Sequence, residues 1–345
     1  MQHRTLRLCL VGFGKVGRAF AALILSEHDR LQSEVGLDLV VTGLCTARFG
    51  SVADPLGVDL RRALEHANAE SPQGPFEEST TFVSTCPADI VVETTPLEPF
   101  TGALGIAIIR AALTAGRSVA SANKGPVAHG LRELRELAGR HGVQYRYESA
   151  VADGMPVFSL IERTLPGSSV TAVTGLLNST SGVVLDALSQ GCSFSEAIRR
   201  AQALGIVEDD LQYDLDGWDA AVKLCALSAA LWDQPIHVEG VERTAISEDL
   251  SVTAIDTRAR GNRLVSLASL QSTPSDHVVG ATVEISEIGP ESVFYPLTGT
   301  SLGVRFESRL LQPITISCSD PRLPDTAYGL LADVLHIGLD GSPRT

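Results

Sequence analysis

The stretch LRLCLVGFGKVGRAF, Leu6 to Phe20, joins an apolar run to an amphipathic run through three glycines. Gly12, Gly14 and Gly17 have the spacing GxGxxG, which is a weak signal alone because glycine is common. Here the glycines follow a predicted buried strand and begin a predicted helix, which is the context that pyrophosphate binding requires. An ordinary strand-to-helix turn is the alternative interpretation. The favoured prediction is a dinucleotide-binding loop made of Gly12, Phe13, Gly14, Lys15, Val16 and Gly17.

Short apolar runs alternate with longer amphipathic stretches over the first 150 residues. The apolar runs predict strands and the amphipathic stretches predict helices. Strands that alternate with helices form βαβ crossovers, and therefore a mostly parallel sheet covered on both faces. This part of the chain is predicted to be α/β, a Rossmann-type doubly wound domain. The predicted strands are 6–12, 37–45, 88–95, 118–124 and 143–150, and the predicted helices are 15–31, 103–116 and 129–142.

The pattern changes after residue 150, where helices and β-rich segments are segregated rather than alternating. Segregated elements are typical of an α+β domain. The second part of the chain is therefore predicted to be a separate α+β layer. The predicted strands are 169–178, 263–270, 277–286 and 303–319, and the predicted helices are 181–191, 193–205 with Ser193 as N-cap, 218–232, and 325–338 with Asp325 as candidate cap.

The composition excludes several classes of function. The 345 residues are 44% hydrophobic and carry a net charge of −14, without a basic run longer than a dipeptide. A surface that binds nucleic acid or an anionic membrane is not expected from this charge. The cysteines stand singly, without a CxxC pair, which predicts reduced thiols in a cytoplasmic protein. No signal peptide and no membrane span are predicted. The six cysteines are Cys9, Cys45, Cys86, Cys192, Cys225 and Cys318.

The segment LDGWDAAVKLCAL, Leu215 to Leu227, places Asp216, Asp219 and Lys223 on one side of a predicted helix. An Asp/Lys pair at i,i+4 is more often a solvated surface pair than a site. A catalytic lysine with its carboxylate is the alternative, and the pair alone does not decide between them. Asp216 is expected to lie at the surface.

The second predicted strand ends LCTAR, with Arg48 where dinucleotide-binding domains place the residue that contacts the adenosine ribose. An acid there accepts from the 2′-hydroxyl of NAD, whereas an arginine suits the 2′-phosphate of NADP. Arg48 therefore favours NADP(H), unless it is a solvated loop residue.

Six blocks of sequence together resemble the homoserine dehydrogenase family: GFGKVG, SANK, YESAVADGMPVF, LLNSTSGVVL, AQALGIVEDD and DLDGWDAAVKL. They agree with the family in type, order and spacing over about two-thirds of the chain, although no single block is decisive. The resemblance implies a dinucleotide-binding domain at 1–149, a catalytic and dimerisation domain at 150–321, and a C-terminal helix at 322–345 that returns to the first domain. It also implies a homodimer.

The resemblance implies the following roles. Lys223 is the catalytic lysine, Asp219 is its acidic partner, and Lys124 lies near the nicotinamide and the reacting oxygen. Glu208 holds the substrate's ammonium group, and Asp214 is a wall of the site. Thr94 and Thr95 lie where the chain passes the cofactor, and Glu148 with the backbone of Val151 matches a sodium site of some members.

Each of these residues also has an interpretation without a functional role. The acids at 208–210 have the character of a solvated cluster, and Lys124 that of an exposed turn residue. Asn123 and Asn178 are also good turn or cap formers.

The family's reaction, in threonine and methionine biosynthesis, interconverts L-aspartate 4-semialdehyde and L-homoserine with NADP or NAD. Reducing an aldehyde requires a hydride at carbon and a proton at oxygen, and a lysine ammonium supplies the proton while stabilising the negative charge on oxygen. Two alternatives remain open. One is a related oxidoreductase that acts on a different amino or hydroxy acid, and the other is a non-catalytic NAD(P)-binding protein.

The sequence departs from the family near its C-terminus. Asp320, Pro321 and Arg322 stand where a glycine-rich turn is expected, and proline fixes φ and lacks an N–H. The loop is therefore not expected to copy a glycine turn, and its backbone contact with the cofactor is expected to be altered or lost. Arg322 is a candidate to offset that loss by binding a phosphate of the cofactor. LNSTSGVVL also carries serine where the family tends to have glycine. The chain's length leaves room neither for a regulatory domain nor for an amino-terminal kinase, so feedback inhibition through such a domain is not expected.

Overall fold

The structure, a computed structural model, describes residues 4–48, 50–68, 77–206, 211–273 and 278–340. The chain divides into two compact units, one formed by Met1–Pro156 with Arg322–Thr345 and the other by Val157–Pro321. Within the described residues, no helix has the length and apolar character to cross a membrane.

The first unit contains strands and helices in alternation. Its strands are β1 (Arg4–Val11), β2 (Leu37–Thr46), β3 (Gly50–Ala53), β4 (Ile90–Glu93), β5 (Ser118–Ser121) and β6 (Tyr145–Arg146). Its helices are α1 (Lys15–Ser26), α2 (His28–Arg30), α3 (Leu60–Asn68), α4 (Ser79–Thr85), α5 (Ala103–Thr114) and α6 (Lys124–His141), with a π-helical turn at Leu31–Val35 and a 3-10 turn at Glu148–Ala150.

The second unit contains the remaining strands and most of the remaining helices. Its strands are β7 (Val170–Leu176), β8 (Glu242–Arg243), β9 (Arg263–Ser272), β10 (Val278–Ile288), β11 (Leu302–Ser308) and β12 (Ile314–Cys318). Its helices are α7 (Val157–Ser159), α8 (Ser179–Ser189), α9 (Phe194–Ala203), α10 (Leu211–Leu215), α11 (Trp218–Trp232) and α12 (Leu250–Ala259), with short turns at Leu160–Thr164 and Val238–Gly240. Helix α13 (Leu323–Asp340) belongs to the first unit.

The sheet of the first unit has the order β3-β2-β1-β4-β5-β6. Strands β2, β1, β4, β5 and β6 are parallel, and β3 runs antiparallel to β2 at the edge. Leu8, Cys9 and Leu10 of β1 are all buried, because a strand covered on both faces has no solvent side. Helix α13 packs on this core, where a Cβ at Gly338 would lie 2.5 Å from a methyl of Leu6. The predicted doubly wound α/β fold is confirmed.

The sheet of the second unit has the order β12-β11-β7-β9-β10-β8. All its pairs are antiparallel except β8 with β10. Helices α8, α9 and α12 share one apolar cluster with residues of β9 and β10. The predicted α+β architecture of the second part is confirmed.

Several predicted boundaries were wrong for identifiable reasons. The strand predicted at 118–124 ends at Ser121, because Asn123 accepts a hydrogen bond from the Gly125 N–H and so caps α6. The single strand predicted at 303–319 is two strands that turn at 309–313, where Pro313 interrupts the apolar run. The final helix begins at Leu323 rather than at an Asp325 cap. Ser193 caps α9 as predicted.

Candidate active site

The glycine loop has two positions that exclude any side chain. Gly12 has φ +90°, and a Cβ there would lie 2.4 Å from the carbonyl oxygen of Thr94. A Cβ at Gly17 would lie 2.6 Å from the carbonyl oxygen of Gly12. Thr94 closes the turn, because its N–H donates to the Val11 carbonyl at 2.8 Å and its hydroxyl donates to the Gly12 carbonyl at 3.0 Å. The first and third glycines are therefore required for the turn and for its packing.

The middle glycine meets a different requirement. A Cβ at Gly14 would have no protein atom within 4 Å. Gly14 directly precedes α1, whose first turn carries no acidic residue. An anion can therefore approach the backbone N–H groups and the positive end of the helix. Packing requires the other two glycines of the loop but not Gly14. The open space beside Gly14 therefore fits the pyrophosphate of a bound dinucleotide. Phe13 is buried, Lys15 is exposed and Val16 is half-buried.

Arg48 is exposed two residues beyond the end of β2. Its N–H donates to the hydroxyl of Thr46 at 3.3 Å, so the turn after the strand is ordered by a local hydrogen bond. Arg48 thus follows the end of β2 closely, and its contact with the adenosine ribose stays a prediction.

Lys124 is the first residue of α6 and is only 9% exposed. The alternative interpretation of Lys124 as an exposed turn residue is therefore wrong. Asn123 caps this helix, as the alternative interpretation of Asn123 expected. The Asn123 amide also donates to the carboxylate of Glu93 at 3.3 Å. Lys124 is thus held by a capped helix at the carboxyl end of β5.

Lys223 and Asp219 form a sheltered ion pair in the second unit. The Lys223 Nζ lies 2.8 Å from the Asp219 Oδ2 and donates to the Leu177 carbonyl at 2.6 Å. The side chains are 15% and 3% exposed, respectively, so the pair is not a solvated surface pair. Most of the rest of α11 is buried, and burial raises the pKa of the Cys225 thiol on this helix to about 12. Asp216 is half-buried and accepts from the Gln212 amide at 2.7 Å instead.

Asn178 joins the two buried carboxylates of this site. Its Nδ2 donates to Asp214 Oδ1 at 2.8 Å and to Asp219 Oδ2 at 2.9 Å. Its Oδ1 accepts from the Ser181 N–H at 2.7 Å and so caps α8. One side chain therefore fixes α8, α10 and α11 relative to one another. Sequence reasoning assigned Asn178 only to a turn or cap, although an asparagine between a strand and a helix was the available signal.

The other predicted site residues are placed as follows. Glu208 lies outside the described residues. Glu148 and Val151 are buried, and the Glu148 N–H donates to the Asp333 carboxylate at 2.8 Å. Among the described residues, no group of three or more His, Cys, Asp or Glu could hold a metal ion. Thr95 donates its N–H to the Glu93 carboxylate at 2.8 Å.

The C-terminal loop corrects one expectation. Asp320 has φ +47°, the left-handed conformation of a glycine turn, and its N–H donates to the Ser301 hydroxyl at 3.2 Å. Aspartate tolerates this conformation better than most residues, so Asp320 copies the left-handed φ of a glycine turn, whereas the expected lack of an N–H at Pro321 stands. Arg322 is exposed, and its N–H donates to the Asp325 carboxylate at 2.7 Å as α13 begins.

A doubly wound sheet with a fitted pyrophosphate loop, and a second unit with a sheltered Lys–Asp pair, define an NAD(P)-dependent oxidoreductase. Sequence models described as homoserine dehydrogenase and as its NAD-binding domain match residues 156–335 and 12–148. The chain belongs to the homoserine dehydrogenase family, whose members are oxidoreductases that act on a CH–OH group.

Known relatives cover nearly the whole chain. The NAD(+)-dependent homoserine dehydrogenase of Pseudomonas canavaninivorans is 35% identical over 96% of both chains. The homoserine dehydrogenase of Methanocaldococcus jannaschii is 27% identical over 96% of this chain and 98% of its own.

Two solved structures share the fold. A putative homoserine dehydrogenase from Archaeoglobus fulgidus has a TM-score of 0.83 at 24% identity, covering 96% of this chain and 99% of its own. A hyperthermophilic archaeal homoserine dehydrogenase in complex with NADPH has a TM-score of 0.79 at 23% identity, covering 98% and 99%.

Proposed function

We propose that this chain interconverts L-aspartate 4-semialdehyde and L-homoserine, with Lys223 as the group that handles the proton. The observation that carries the proposal is the sheltered Lys223 ammonium, 2.8 Å from the Asp219 carboxylate. A bound NADPH or NADH supplies the hydride for reduction, and the oxidised form accepts it in the reverse direction.

Lys223 has the donors that this role needs. An ammonium has three N–H donors, and among the described residues Asp219 and the Leu177 carbonyl engage two of them. The third is available to a substrate oxygen. In reduction it stabilises the negative charge that develops on the aldehyde oxygen and then donates the proton there. In oxidation the lysine takes the hydroxyl proton back. Asp219 orients the ammonium and balances its charge.

The remaining roles follow the same proposal. Lys124 stabilises charge at the reacting oxygen, Asp214 is a wall of the substrate site, and Glu208 binds the substrate's ammonium group. The glycine loop, Thr94 and Thr95 contact the cofactor.

We further propose a functional division at 1–149, 150–321 and 322–345, with the second unit forming a homodimer in the cytoplasm. Glu148 and the Val151 carbonyl are proposed to bind a monovalent cation such as sodium.

The deciding assay follows reduction of NADP+ or NAD+ with L-homoserine at alkaline pH, where release of the proton favours oxidation. Turnover with homoserine is expected. Turnover only with another hydroxy or amino acid would identify a related oxidoreductase of different specificity. Cofactor binding without turnover on any of these substrates would identify a binding protein.

The middle glycine of the loop gives a test of cofactor placement. Gly14→Ala is expected to lower the thermal midpoint of the cofactor-free protein only slightly, since the added methyl meets no protein atom and alanine is merely a poorer N-cap than glycine. It should weaken cofactor binding by about tenfold, because the methyl occupies the space of the pyrophosphate. Thermal melts and fluorescence titration with NADPH measure the two effects. Gly139→Ala, in open space on α6, is the matched control: it should raise the thermal midpoint slightly, because alanine is the better helix former, and leave the cofactor affinity unchanged. Equal affinity in all three proteins would show that the pyrophosphate does not lie at Gly14.

Arg48 gives a test of cofactor choice. Arg48→Ala is expected to raise the KM for NADPH by about tenfold, the loss of roughly one charge-assisted hydrogen bond, and to leave the KM for NADH nearly unchanged. Steady-state kinetics with both cofactors provide the measurement, and Arg199→Ala, an exposed arginine of α9, is the control. A strong preference of the unaltered protein for NADH would overturn the assignment of Arg48 to the 2′-phosphate.

A further inference from the structure

Glu93 is a buried carboxylate that the proposed mechanism does not use. It is the last residue of β4 and is 0% exposed. Its side chain accepts hydrogen bonds from the Thr95 N–H at 2.8 Å, the Thr95 hydroxyl, the Ser121 hydroxyl at 2.7 Å and the Asn123 amide at 3.3 Å. All four donors are uncharged, and they come from two different segments of chain. The carboxylate therefore joins the loop after β4 to the end of β5 and the residues that follow it.

Each of the two segments leads to a part of the proposed site. Thr94, on one side, closes the glycine loop through the Gly12 carbonyl. Asn123, on the other side, caps α6 through the Gly125 N–H, and Lys124 is the first residue of that helix. A shift of Glu93 would therefore be transmitted to the cofactor loop and to Lys124.

The same two segments pack so closely that small movements matter. A Cβ at Gly102 would lie 2.7 Å from the carbonyl group of Gly125. A Cβ at Gly105 would lie 2.5 Å from Pro126 Cγ. The loop after β4 and the start of α6 are thus in backbone contact, and the Glu93 carboxylate lies where the two segments leave the sheet.

We propose that Glu93 is a positioning residue for hydride transfer, which sets the Thr94–Thr95 backbone and the Asn123–Lys124 helix start relative to each other. Glu93 acts through these residues and touches neither substrate nor cofactor. A carboxylate suits this position because it only accepts, and two oxygens can take up four donors. A glutamine would present an NH₂ group to at least one hydroxyl or amide donor. The inference rests on the proposed function in one respect, because it takes Lys124 to stabilise charge at the reacting oxygen.

The test is a double-mutant cycle on the full chain with Glu93→Gln and Lys124→Ala. Glu93→Gln should lower kcat by about tenfold to a hundredfold, since a displacement near 1 Å has effects of that size. The cycle is measured at saturating cofactor, so that weaker cofactor binding does not enter kcat. If Glu93 acts on kcat through Lys124, the double variant should then be no slower than Lys124→Ala alone, because the two residues work as one unit. Losses that multiply would show that the two residues act independently and would overturn the inference.

Glu98→Gln is the matched control. Glu98 lies in the same loop and also accepts from a hydroxyl and several backbone N–H groups, but all of these lie at Phe100, Thr101 and Ala103. It should leave kcat within about twofold. Equal losses in Glu98→Gln and Glu93→Gln would mean that loosening this loop is sufficient, and would overturn the proposal.

Two further measurements separate this inference from the proposed function. Ser121→Ala removes one donor from the same carboxylate and replaces Glu93→Gln in the cycle if that variant does not fold. Titration with NADPH, followed by its fluorescence, does not depend on turnover, and weaker binding than in Glu98→Gln is expected. If the unaltered protein does not turn over homoserine, the proposed function fails. The positioning role of Glu93 is then tested by the NADPH titration alone. Unchanged kcat and unchanged NADPH affinity would refute the role of Glu93.

Discussion

Replacing Lys223 by methionine should lower kcat for homoserine oxidation by about a thousandfold, within the range of lost general acid–base catalysis. Methionine keeps an unbranched apolar stem but has no proton to transfer and no charge to stabilise an oxyanion. The Asp219 carboxylate also loses the cation 2.8 Å away, and the Leu177 carbonyl loses its donor. Initial rates of NADP+ or NAD+ reduction measure the loss.

The control for this variant is a second i,i+4 pair of the same unit. Arg200 and Glu196 on α9 approach within 3.6 Å, but their side chains are 46% and 36% exposed. Arg200→Met should leave kcat unchanged within about twofold, because exposed pairs contribute little. Cofactor affinity should be unchanged in both variants, since the glycine loop is untouched. More than a tenth of the original kcat in Lys223→Met would assign the proton to another group.

Lys223→Arg separates charge from proton transfer. Arginine keeps the positive charge but stays protonated in proteins, and its planar group does not fit the place of a compact ammonium. The variant is therefore expected to be nearly as inactive as Lys223→Met. Of the 27 lysine and arginine residues in the chain, only Lys15, Lys124 and Lys223 are lysines. Arginine supplies the positive charge everywhere else, so lysine occurs only in the cofactor loop and at the two proposed catalytic positions.

Much of the fold could be predicted from the sequence, because strands, turns and helices are indicated by residues that are close together in the chain. The apolar run of β1 and the three glycines after it predict a strand, a turn and a helix without reference to distant residues. The prediction for α11 was correct at both ends, Trp218 and Trp232. Helix α12 was missed because its apolar residues do not form one stripe. Val252 and Ile255 on this helix are exposed, whereas Ala254 between them is buried.

In the second unit, the residues alone predicted contacts of the site only where its members are neighbours on one helix. Asp219 and Lys223 are one turn apart, so their contact follows from helix geometry. Asn178 contacts Asp219 from 41 residues away, and the sheet and helix packing that brings them together has no local signal. Glu93 meets Asn123 across two parallel strands for the same reason. The φ of Asp320 was also missed, because the residue type permits a left-handed conformation without requiring one.

Replacing Asp219 by asparagine should lower kcat by roughly a hundredfold with a smaller change in KM, since the carboxylate acts on the lysine that handles the proton. The substitution preserves size but removes the negative charge. Both the Lys223 ammonium and the Asn178 amide converge on the Asp219 Oδ2, at 2.8 and 2.9 Å. A neutral oxygen there accepts both bonds less strongly, so the ammonium loses orientation and charge balance. The variant should also unfold at a lower temperature, because it leaves a largely buried charge without its partner.

Asp216→Asn distinguishes this role from a general loss of acidity near α11. Asp216 lies three residues before Asp219, yet its carboxylate contacts Gln212 and not Lys223. Its substitution should change kcat by less than about twofold, as expected for a half-exposed hydrogen bond. Steady-state kinetics of both variants across alkaline pH provide the comparison. Equal losses in the two variants would mean that the whole acidic surface matters, and the Asp219–Lys223 contact would then have no special part in the reaction. A loss confined to Asp219→Asn would tie proton transfer to this one carboxylate and its lysine.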